Sequence, residues 1–308
     1  MLGVLHGVVV IGFVIGLGYL LIRTGAVAAE ASRTLSQVAF YVATPAIVFN
    51  LIATADLRAV LSVYMIVAVA AAVIGAVVYL VVARAVLAVR GRAELAVGAC
   101  AAVFVNSNNI GLPVAQYVLG DLSVMAAILI MQPLVLATTV LTILDLNSPH
   151  PTSLRRVLLT PLRSPVLLAA GLGLVVSATG VRLPAILSDP LDLLAGAAIP
   201  LILLSFGMSL PGQRPLRPGA DRPQVLLAVA VKSLVMPLAA WVCGAVVLNL
   251  DASTLFAVVV IAALPTGQVV FTWAATFKVK VAAVRDTVLL TTLMAAPLLL
   301  VIAALLAP

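Results

Sequence analysis

The sequence predicts an all-α integral membrane protein with ten transmembrane helices. Of its 308 residues, 64% are hydrophobic and only 9% are charged, whereas about 25% of the residues in a soluble domain are charged. The few charges leave long apolar runs between them, and a helix needs roughly 20 apolar residues to cross the hydrocarbon core of a bilayer. A transmembrane β-barrel is excluded, because these runs are too long for its strands and show no two-residue alternation.

Ten stretches of the chain are uncharged or nearly so, and each is predicted to be one transmembrane helix. They are residues 1–22, 34–55, 59–83, 95–120, 122–144, 164–181, 193–213, 223–250, 252–277 and 287–308. Nine contain no Asp, Glu, Lys or Arg, and the eighth contains Lys232. Only helices satisfy their backbone groups internally over such lengths in lipid. No Lys or Arg precedes the first stretch, so we expect a retained helix rather than a signal peptide. We expect no acidic residue inside any helix.

The basic residues lie almost entirely on one side of the predicted membrane. Five alternate loops hold fourteen Lys and Arg residues, and the loops on the other side hold only Arg58 and Arg182. By the positive-inside rule, the five basic loops are cytoplasmic and both termini are extracytoplasmic in a multi-pass protein of the cell membrane. This distribution also explains the net charge of +7, so we expect the lipid bilayer, and no nucleic acid, as a partner.

Similar segments recur in the two halves of the chain. The segment ATPAIVFNLI around Pro45 resembles AIPLILLSFG around Pro200. Two further pairs of prolines recur in the same order, namely Pro113 with Pro265 and Pro133 with Pro297. Because five helices are an odd number, the second half is inverted relative to the first, as in many secondary transporters. The predicted domains are a first five-helix repeat (1–144), a cytoplasmic linker (145–163) and a second, inverted repeat (164–308).

The densest polar cluster lies in the fourth predicted helix, just before Gly111 and Pro113. It comprises Asn106, Ser107, Asn108 and Asn109. Amides are costly in hydrocarbon unless they face protein or a water-filled cavity. Proline lacks an N–H group and clashes with the carbonyl four residues earlier. We therefore expect a broken helix here, with Pro113 holding the break open and freed backbone groups available to a ligand.

The ninth predicted helix carries a corresponding feature near its middle. Pro265 is followed there by Thr266, Gly267 and Gln268. Interrupted helices at matching places in two halves are the best sequence indication of a transport site. We therefore expect the substrate to bind where the fourth and ninth helices cross at their breaks.

These segments resemble the auxin efflux carrier family. The run from Asn106 to Pro113 matches the family's Asn-x-x-x-x-Gly-x-Pro signature, and the similarity continues around Pro45, Pro200 and Pro265. The resemblance implies that helices 1, 2, 6 and 7 form a scaffold, and that helices 3–5 and 8–10 form a mobile transport domain. It also implies broken, crossing helices 4 and 9. The long cytoplasmic loop of many plant members is missing here, which indicates a compact bacterial-type member.

The predicted function is secondary active or facilitative transport of a small organic anion by an elevator-like, alternating-access mechanism. Helix N-termini carry partial positive charge, and amides donate hydrogen bonds without a fixed charge. The family resemblance points to carboxylates such as malate, malonate or indole-type acids. One alternative is a sodium-coupled symporter of the bile-acid-transporter type. Another is a channel, a receptor or a membrane-embedded enzyme, although the sequence lacks H-E-x-x-H and G-x-S-x-G motifs, so we predict no enzyme.

The predicted substrate site draws on both broken helices. Its residues are Asn106, Asn108, Asn109, Gly111, Pro113, Pro265, Thr266, Gly267 and Gln268. Accessory candidates are Asn50, Gln132 and Lys232. Lys232 either reaches toward the membrane surface or pairs within the protein, or it takes part in binding or coupling. We predict no metal site and no cofactor, and leave sodium or proton coupling open.

Helix 1 contains glycines at the spacing of close helix packing. Gly3 with Gly7, and Gly12 with Gly16, form two G-x-x-x-G pairs. The contact they favour lies either within one chain or between two chains, and a homodimer would use the scaffold helices. Cys100 and Cys243 lack metal-site spacing, so we expect them to be packing residues.

Overall fold

The computed structural model describes residues 2–28, 30–54, 63–148, 164–181, 183–211 and 221–308. Within these ranges every regular element is a helix, and one isolated β-bridge joins Val105 and Thr266. The predicted all-α class is confirmed for this part of the chain. Arg58, Arg182 and most of the 145–163 linker lie outside the described residues.

In chain order the helices are α1 (Leu2–Arg23), α2 (Ala31–Thr54), α3 (Val63–Ala85), α4a (Arg92–Val103), α4b (107–119), α5 (Leu122–Leu146), α6 (Pro165–Thr179), α7 (Ala185–Ser209), α8 (Arg222–Val247), α9a (Ala252–Ala263), α9b (Gln268–Phe277) and α10 (Val281–Leu306). Seven of them are long and apolar enough to cross a membrane, namely α1, α2, α3, α5, α7, α8 and α10. The short helix α6 is also apolar, and the remaining four form two interrupted pairs.

Several helices extend beyond the uncharged stretches that predicted them. Helix α7 includes Asp189 and Asp192, and α10 includes Asp286. The prediction that no acidic residue lies in a helix is therefore wrong. A charge-free stretch marks only the part of a helix that must lie in hydrocarbon, and the helical backbone continues past it.

Most interior prolines do not break the helices that contain them. Pro45, Pro113 and Pro237 each lie two positions after the last residue of a five-residue π-helical segment, and Pro133 lies within a six-residue one. A proline ring clashes with the carbonyl four residues earlier, and a wider π turn moves that carbonyl away. The helix then continues through the proline with a local bulge.

The helices pack in two groups. Helix α1 packs against α7, and α2 packs against both α6 and α7, whereas α3, α4a, α5, α8, α9a and α10 pack among themselves. Close approach in the first group uses glycine, because a Cβ on Gly18 or Gly207 would collide with the backbone of the facing helix. Gly7 also packs within the chain, against the backbone of Tyr117 in α4b. Among the described residues, no atom lies within 4 Å of the Cβ positions of Gly3, Gly12 and Gly16.

The two short helices α4a and α9a form the centre of the second group. Leu95–Val103, apart from Gly98, and Phe256–Ala263 are buried. By contrast, α1 and α3 expose large apolar side chains such as Phe13 and Val81. A helix that is apolar on every side and buried on every side is a core helix, and this position brings both interruptions to the middle of the protein.

Candidate functional site

The interruptions of α4 and α9 lie side by side and run antiparallel. The Asn106 N–H donates to the Pro265 carbonyl (2.8 Å), and the Gly267 N–H donates to the Phe104 carbonyl (2.9 Å). Buried backbone groups must find hydrogen-bond partners. In a continuous helix these backbone groups would bond within their own helix. At the crossing, each break instead supplies hydrogen-bond partners to the other.

The side chain of Gln132 in α5 completes the first break. Its Oε1 accepts from the Val105 N–H (2.7 Å), and its Nε2 donates to the Val105 carbonyl (3.1 Å) and to Ser107 Oγ (3.2 Å). Gln132 is 1% exposed, so these bonds satisfy a fully buried amide. Gln132 supports the unwound backbone and does not line the cavity beside it.

Thr266 completes the second break in a similar way. Its N–H donates to Thr291 Oγ1 of α10 (3.1 Å), and its own hydroxyl donates to the Ala101 carbonyl near the end of α4a (2.7 Å). In a continuous helix the Ala101 carbonyl would accept from Val105, four residues on. The Thr266 hydroxyl thus occupies a carbonyl that the first break sets free.

Lys232 occupies the corresponding carbonyl of the second break. It lies in α8, is 0% exposed, and its Nζ donates to the Ala262 carbonyl near the end of α9a (2.7 Å). Of the alternatives that the sequence left open, pairing within the protein is the one the geometry matches. Lys232 does not line the cavity at the crossing.

A cavity of about 990 Å³ opens beside the crossing. Five of the predicted site residues line it, namely Asn106, Asn108, Asn109, Gly267 and Gln268. The cavity also has an apolar wall that includes Phe40, Phe104, Ile202 and Phe271. Among the described residues that line it, Arg33 is the one with a charge. The cavity is therefore polar at the crossing, apolar along one wall and positively charged at Arg33.

The amides at the crossing are only partly satisfied within the protein. Asn106 is 5% exposed, and its Oδ1 accepts from the Asn109 N–H (3.1 Å) at the start of α4b. The Asn109 Nδ2 reaches Gln268 Oε1 across the crossing (3.4 Å). Asn106 Nδ2 and Asn108 Oδ1 are buried without a partner among the described residues. Buried polar atoms without hydrogen-bond partners are unfavourable for folding and therefore rare. Two such atoms beside a cavity are typical of a ligand site.

Four predicted site residues do not line this cavity: Gly111, Pro113, Pro265 and Thr266. The prediction that Pro113 holds the break open is wrong. The interruption lies at residues 104–106, and Leu112, just before Pro113, has helical torsions (φ −59°, ψ −48°). The π-helical turn before Pro113 accommodates its ring. Gly111 has a packing role, because a Cβ there would lie 2.6 Å from the end of the Met125 side chain.

Pro265 does lie within its interruption. The preceding residue, Leu264, is extended (φ −55°, ψ 145°), as a following proline favours. Pro113 and Pro265 are therefore not at matching places in the two breaks, because the β-bridge pairs Val105 with Thr266. The similar positions of these two prolines in the sequence therefore do not reflect equivalent positions in the two breaks.

The accessory candidate Asn50 belongs to a second cavity, of about 890 Å³. Its Nδ2 donates to Asp192 Oδ1 (2.7 Å). This cavity is lined by the end of α2, the start of α7 and the end of α4b, whereas the first is lined by the opposite ends of the same helices. The two cavities therefore open at opposite ends of these helices.

Sequence reasoning missed the contribution of α2 to the first cavity. Arg33, Ser36, Phe40 and Thr44 all line it. They recur every three or four residues and so occupy one face of a helix. The polar residues Arg33, Ser36 and Thr44 on this face were the signal that could have found this contribution.

The fold and the cavity define a multi-pass, all-helical membrane protein with a polar site where two interrupted helices meet. A family model described as membrane transport protein matches residues 3–303. The chain therefore belongs to this family, the auxin efflux carrier family that its motifs indicated, and it is a membrane transporter. A family of transporters favours transport over catalysis. No curated protein matches the chain.

Proposed function

We propose that the protein is a secondary active or facilitative transporter of a small organic anion, and that the carboxylate of the anion binds at the crossing of α4 and α9. One observation carries the proposal: three carbonyl groups at the crossing are occupied by side-chain donors, while the amide donor Asn106 Nδ2 has no partner among the described residues. The Ala101, Val105 and Ala262 carbonyls accept from Thr266, Gln132 and Lys232. A site rich in donors suits an anion.

The remaining donors surround the polar end of the cavity. Asn106 Nδ2 is buried without a partner in the described chain. Helices α4b and α9b both begin beside the cavity, and the first N–H groups of a helix have no partner within it. Their partial positive charge and the Arg33 guanidinium favour a negative ligand. The apolar wall leaves room for the body of an organic acid.

The sodium-coupled alternative has weaker support. Sodium would need several oxygen ligands, and three of the carbonyls near the crossing already accept hydrogen bonds from side chains. Asn108 Oδ1 is the one buried side-chain oxygen at the crossing without a partner among the described residues. A sodium ion would have to take its other ligands from further backbone carbonyls or from the substrate, whereas this atom alone suits a ligand with a donor group of its own.

The inverted repeat remains part of the proposal, and the pairing of one interrupted helix from each half supports it. If Val105 is matched with Thr266, then Phe104 matches Pro265 and Asn106 matches Gly267. This exchange converts the bond from Asn106 to Pro265 into the bond from Gly267 to Phe104. Every antiparallel bridge has this reciprocity, so the support for a twofold relation is that both halves contribute an interrupted helix to the bridge. Helices α4a and α9a also have 12 residues each.

We extend the proposal to ten membrane crossings and an elevator-like motion. Helix α6 and the two interrupted pairs would complete the seven long helices. The packing of α1 on α7 and of α2 on α6 and α7 supports a scaffold, which contacts the proposed moving domain where α1 meets α4b. Cavities at opposite ends of α2, α4b and α7 support alternating access.

Disulfide cross-links between α2 and α4b test the motion. They should abolish transport and leave binding intact, so full transport by completely cross-linked protein would refute the motion.

The orientation in the membrane is tested separately. With the basic loops in the cytoplasm, cysteines introduced at Arg155 and Arg214 should resist a membrane-impermeant thiol reagent in intact cells. Labelling of either position from outside would reverse the assignment of both termini to the extracytoplasmic side.

The substrate site is tested with purified Asn106→Ala and Gln268→Ala variants. A binding screen of carboxylates, including malate, malonate and indole-3-acetate, first identifies a ligand of the wild-type protein. Loss of one hydrogen bond to a charged ligand costs roughly 1.5–3 kcal/mol, or about ten- to a hundredfold in affinity. Asn147→Ala, an exposed change at the end of α5, serves as the control. Wild-type affinity in both test variants would place the site elsewhere.

A further inference from the structure

The buried ammonium of Lys232 is not explained by the hydrogen bond alone. The first break sets free the Ala101 carbonyl, and a neutral hydroxyl, that of Thr266, occupies it (2.7 Å). The second break sets free the Ala262 carbonyl, and here the donor is the amino group of a lysine at the same distance (2.7 Å). Burying a charge is far more costly than burying a hydroxyl. A lysine that keeps its positive charge at the second break therefore needs a reason of its own.

The local electrostatics supply that reason. Ala262 lies in the last turn of α9a, where the partial charges of the helix sum to a negative end. Lys232 is 0% exposed, and it forms no ion pair with any described residue. The end of α9a is therefore the one described partner of its charge. Transporters with interrupted helices commonly bind their coupling cations at such C-terminal ends.

We propose that Lys232 is a positioning residue whose ammonium group stands where a coupling cation would otherwise bind at the end of α9a. The Lys232 Nζ then holds the carbonyl end of α9a, and Gln268 and Gly267 stay beside Asn106 and Asn109. This inference builds on the proposed transport site, and it assigns to that site a built-in cation. Transport consequently needs no sodium ion at this position.

The first test measures thermal unfolding of the purified protein and needs no substrate. The wild-type protein should unfold at the same temperature in sodium chloride and in N-methyl-D-glucamine chloride. Lys232→Ala leaves the carbonyl end empty, so sodium, lithium or ammonium should raise its unfolding temperature by several degrees. Lys278→Ala removes an exposed lysine and should match the wild type. Sodium-specific stabilisation of the wild type, or a folded Lys232→Ala protein indifferent to every cation, contradicts the proposal.

The second test uses Lys232→Gln, which keeps a donor and removes the charge. Uptake of radiolabelled malate or indole-3-acetate into proteoliposomes should slow at least tenfold in this variant, with little change in the KM. A transport rate equal to that of the wild type would show that a neutral donor suffices, and would overturn the inference. If Lys232→Ala does not fold, two measurements still test the proposal: the unfolding temperature of the wild type in different cations and the uptake by Lys232→Gln. If the wild type moves no organic anion, the proposed function fails, and the thermal measurement remains valid.

Discussion

Gln132 pairs with the backbone of Val105 as a neighbouring β-strand would. Its amide accepts from the Val105 N–H at 2.7 Å and donates to the Val105 carbonyl at 3.1 Å. A residue between two half-helices has lost its own helical partners, and the membrane interior offers no water to replace them. One side chain of α5 thus stabilises the unwound segment of α4 in its buried position.

Gln132→Leu should destabilise the protein strongly. The Val105 N–H would be left buried without a partner, at a cost of about 1–3 kcal/mol, whereas the Val105 carbonyl would keep the Ser107 N–H (2.8 Å). We expect a lower unfolding temperature in detergent. Thr142→Val is the matched control on α5, because the Thr142 hydroxyl bonds only to its own helix, at the Thr138 carbonyl (2.7 Å). Equal stability of the two variants would mean that Gln132 does not support the break.

The two prolines of the crossing helices should respond differently to replacement. Pro265→Ala would restore an N–H and release Leu264 from its extended conformation (φ −55°, ψ 145°), so α9a could extend into the break. Transport should fall sharply. Pro113→Ala should keep much more transport activity than Pro265→Ala, because Leu112 is already helical (φ −59°, ψ −48°). Uptake assays of both variants test this. A greater loss of transport in Pro113→Ala than in Pro265→Ala would mean that Pro113 does hold the break of α4 open.

Arg33→Gln should weaken substrate capture. Arg33 is the charged residue among the described residues that line the first cavity, and it attracts anions from solution. The KM for an organic anion should rise severalfold at low ionic strength. The difference should shrink in concentrated salt, because ions screen exposed charges. Arg23→Gln, at the end of α1 and outside the cavity lining, should leave the KM unchanged. A KM that does not depend on Arg33 at low salt would remove it from the site.

Lys280 connects three helices of the second group at their ends. Its Nζ lies 2.8 Å from Asp221 Oδ1, before α8, and 3.4 Å from Glu94 Oε2 of α4a. Burial lowers the pKa of Lys280, but the hydrogen bond and charge of Asp221, with the charge of Glu94, outweigh it and raise the pKa above 10.5. The ion pairs of a half-exposed cluster contribute on the order of 1 kcal/mol.

Lys280→Met should therefore lower the free energy of unfolding by about 1 kcal/mol. The wild-type advantage should be constant from neutral pH up to the unfolded lysine pKa of about 10.4, and it should disappear as the pH rises through the higher folded value. Lys278→Met, in the same loop and also with positive φ (55°), is the control. Unfolding curves recorded across alkaline pH would show whether the two variants differ; identical curves would deny the cluster any role.

The membrane class and the grouping of several amides around one cavity could be predicted from residue chemistry. Long apolar runs need lipid, and the amides from Asn106 to Asn109 need a polar cavity wherever the chain places them. Asn106, Asn108, Asn109, Gly267 and Gln268 do line one cavity. Local chemistry was less reliable for Pro113, because a π-helical turn absorbed the disturbance that proline causes.

By itself the sequence determined that the chain belongs in a membrane, that it folds as helices, and which amides must be kept from lipid. These properties depend on each residue and its near neighbours. Only the tertiary structure decided where the helices break and which donors occupy the freed carbonyls. The roles of Gln132, Thr266 and Lys232 depend on partners that are distant in the chain, at Val105, Ala101 and Ala262. Hydrogen bonds between distant segments leave no periodic pattern in a sequence, because each satisfies a backbone group that becomes free only when the fold is complete.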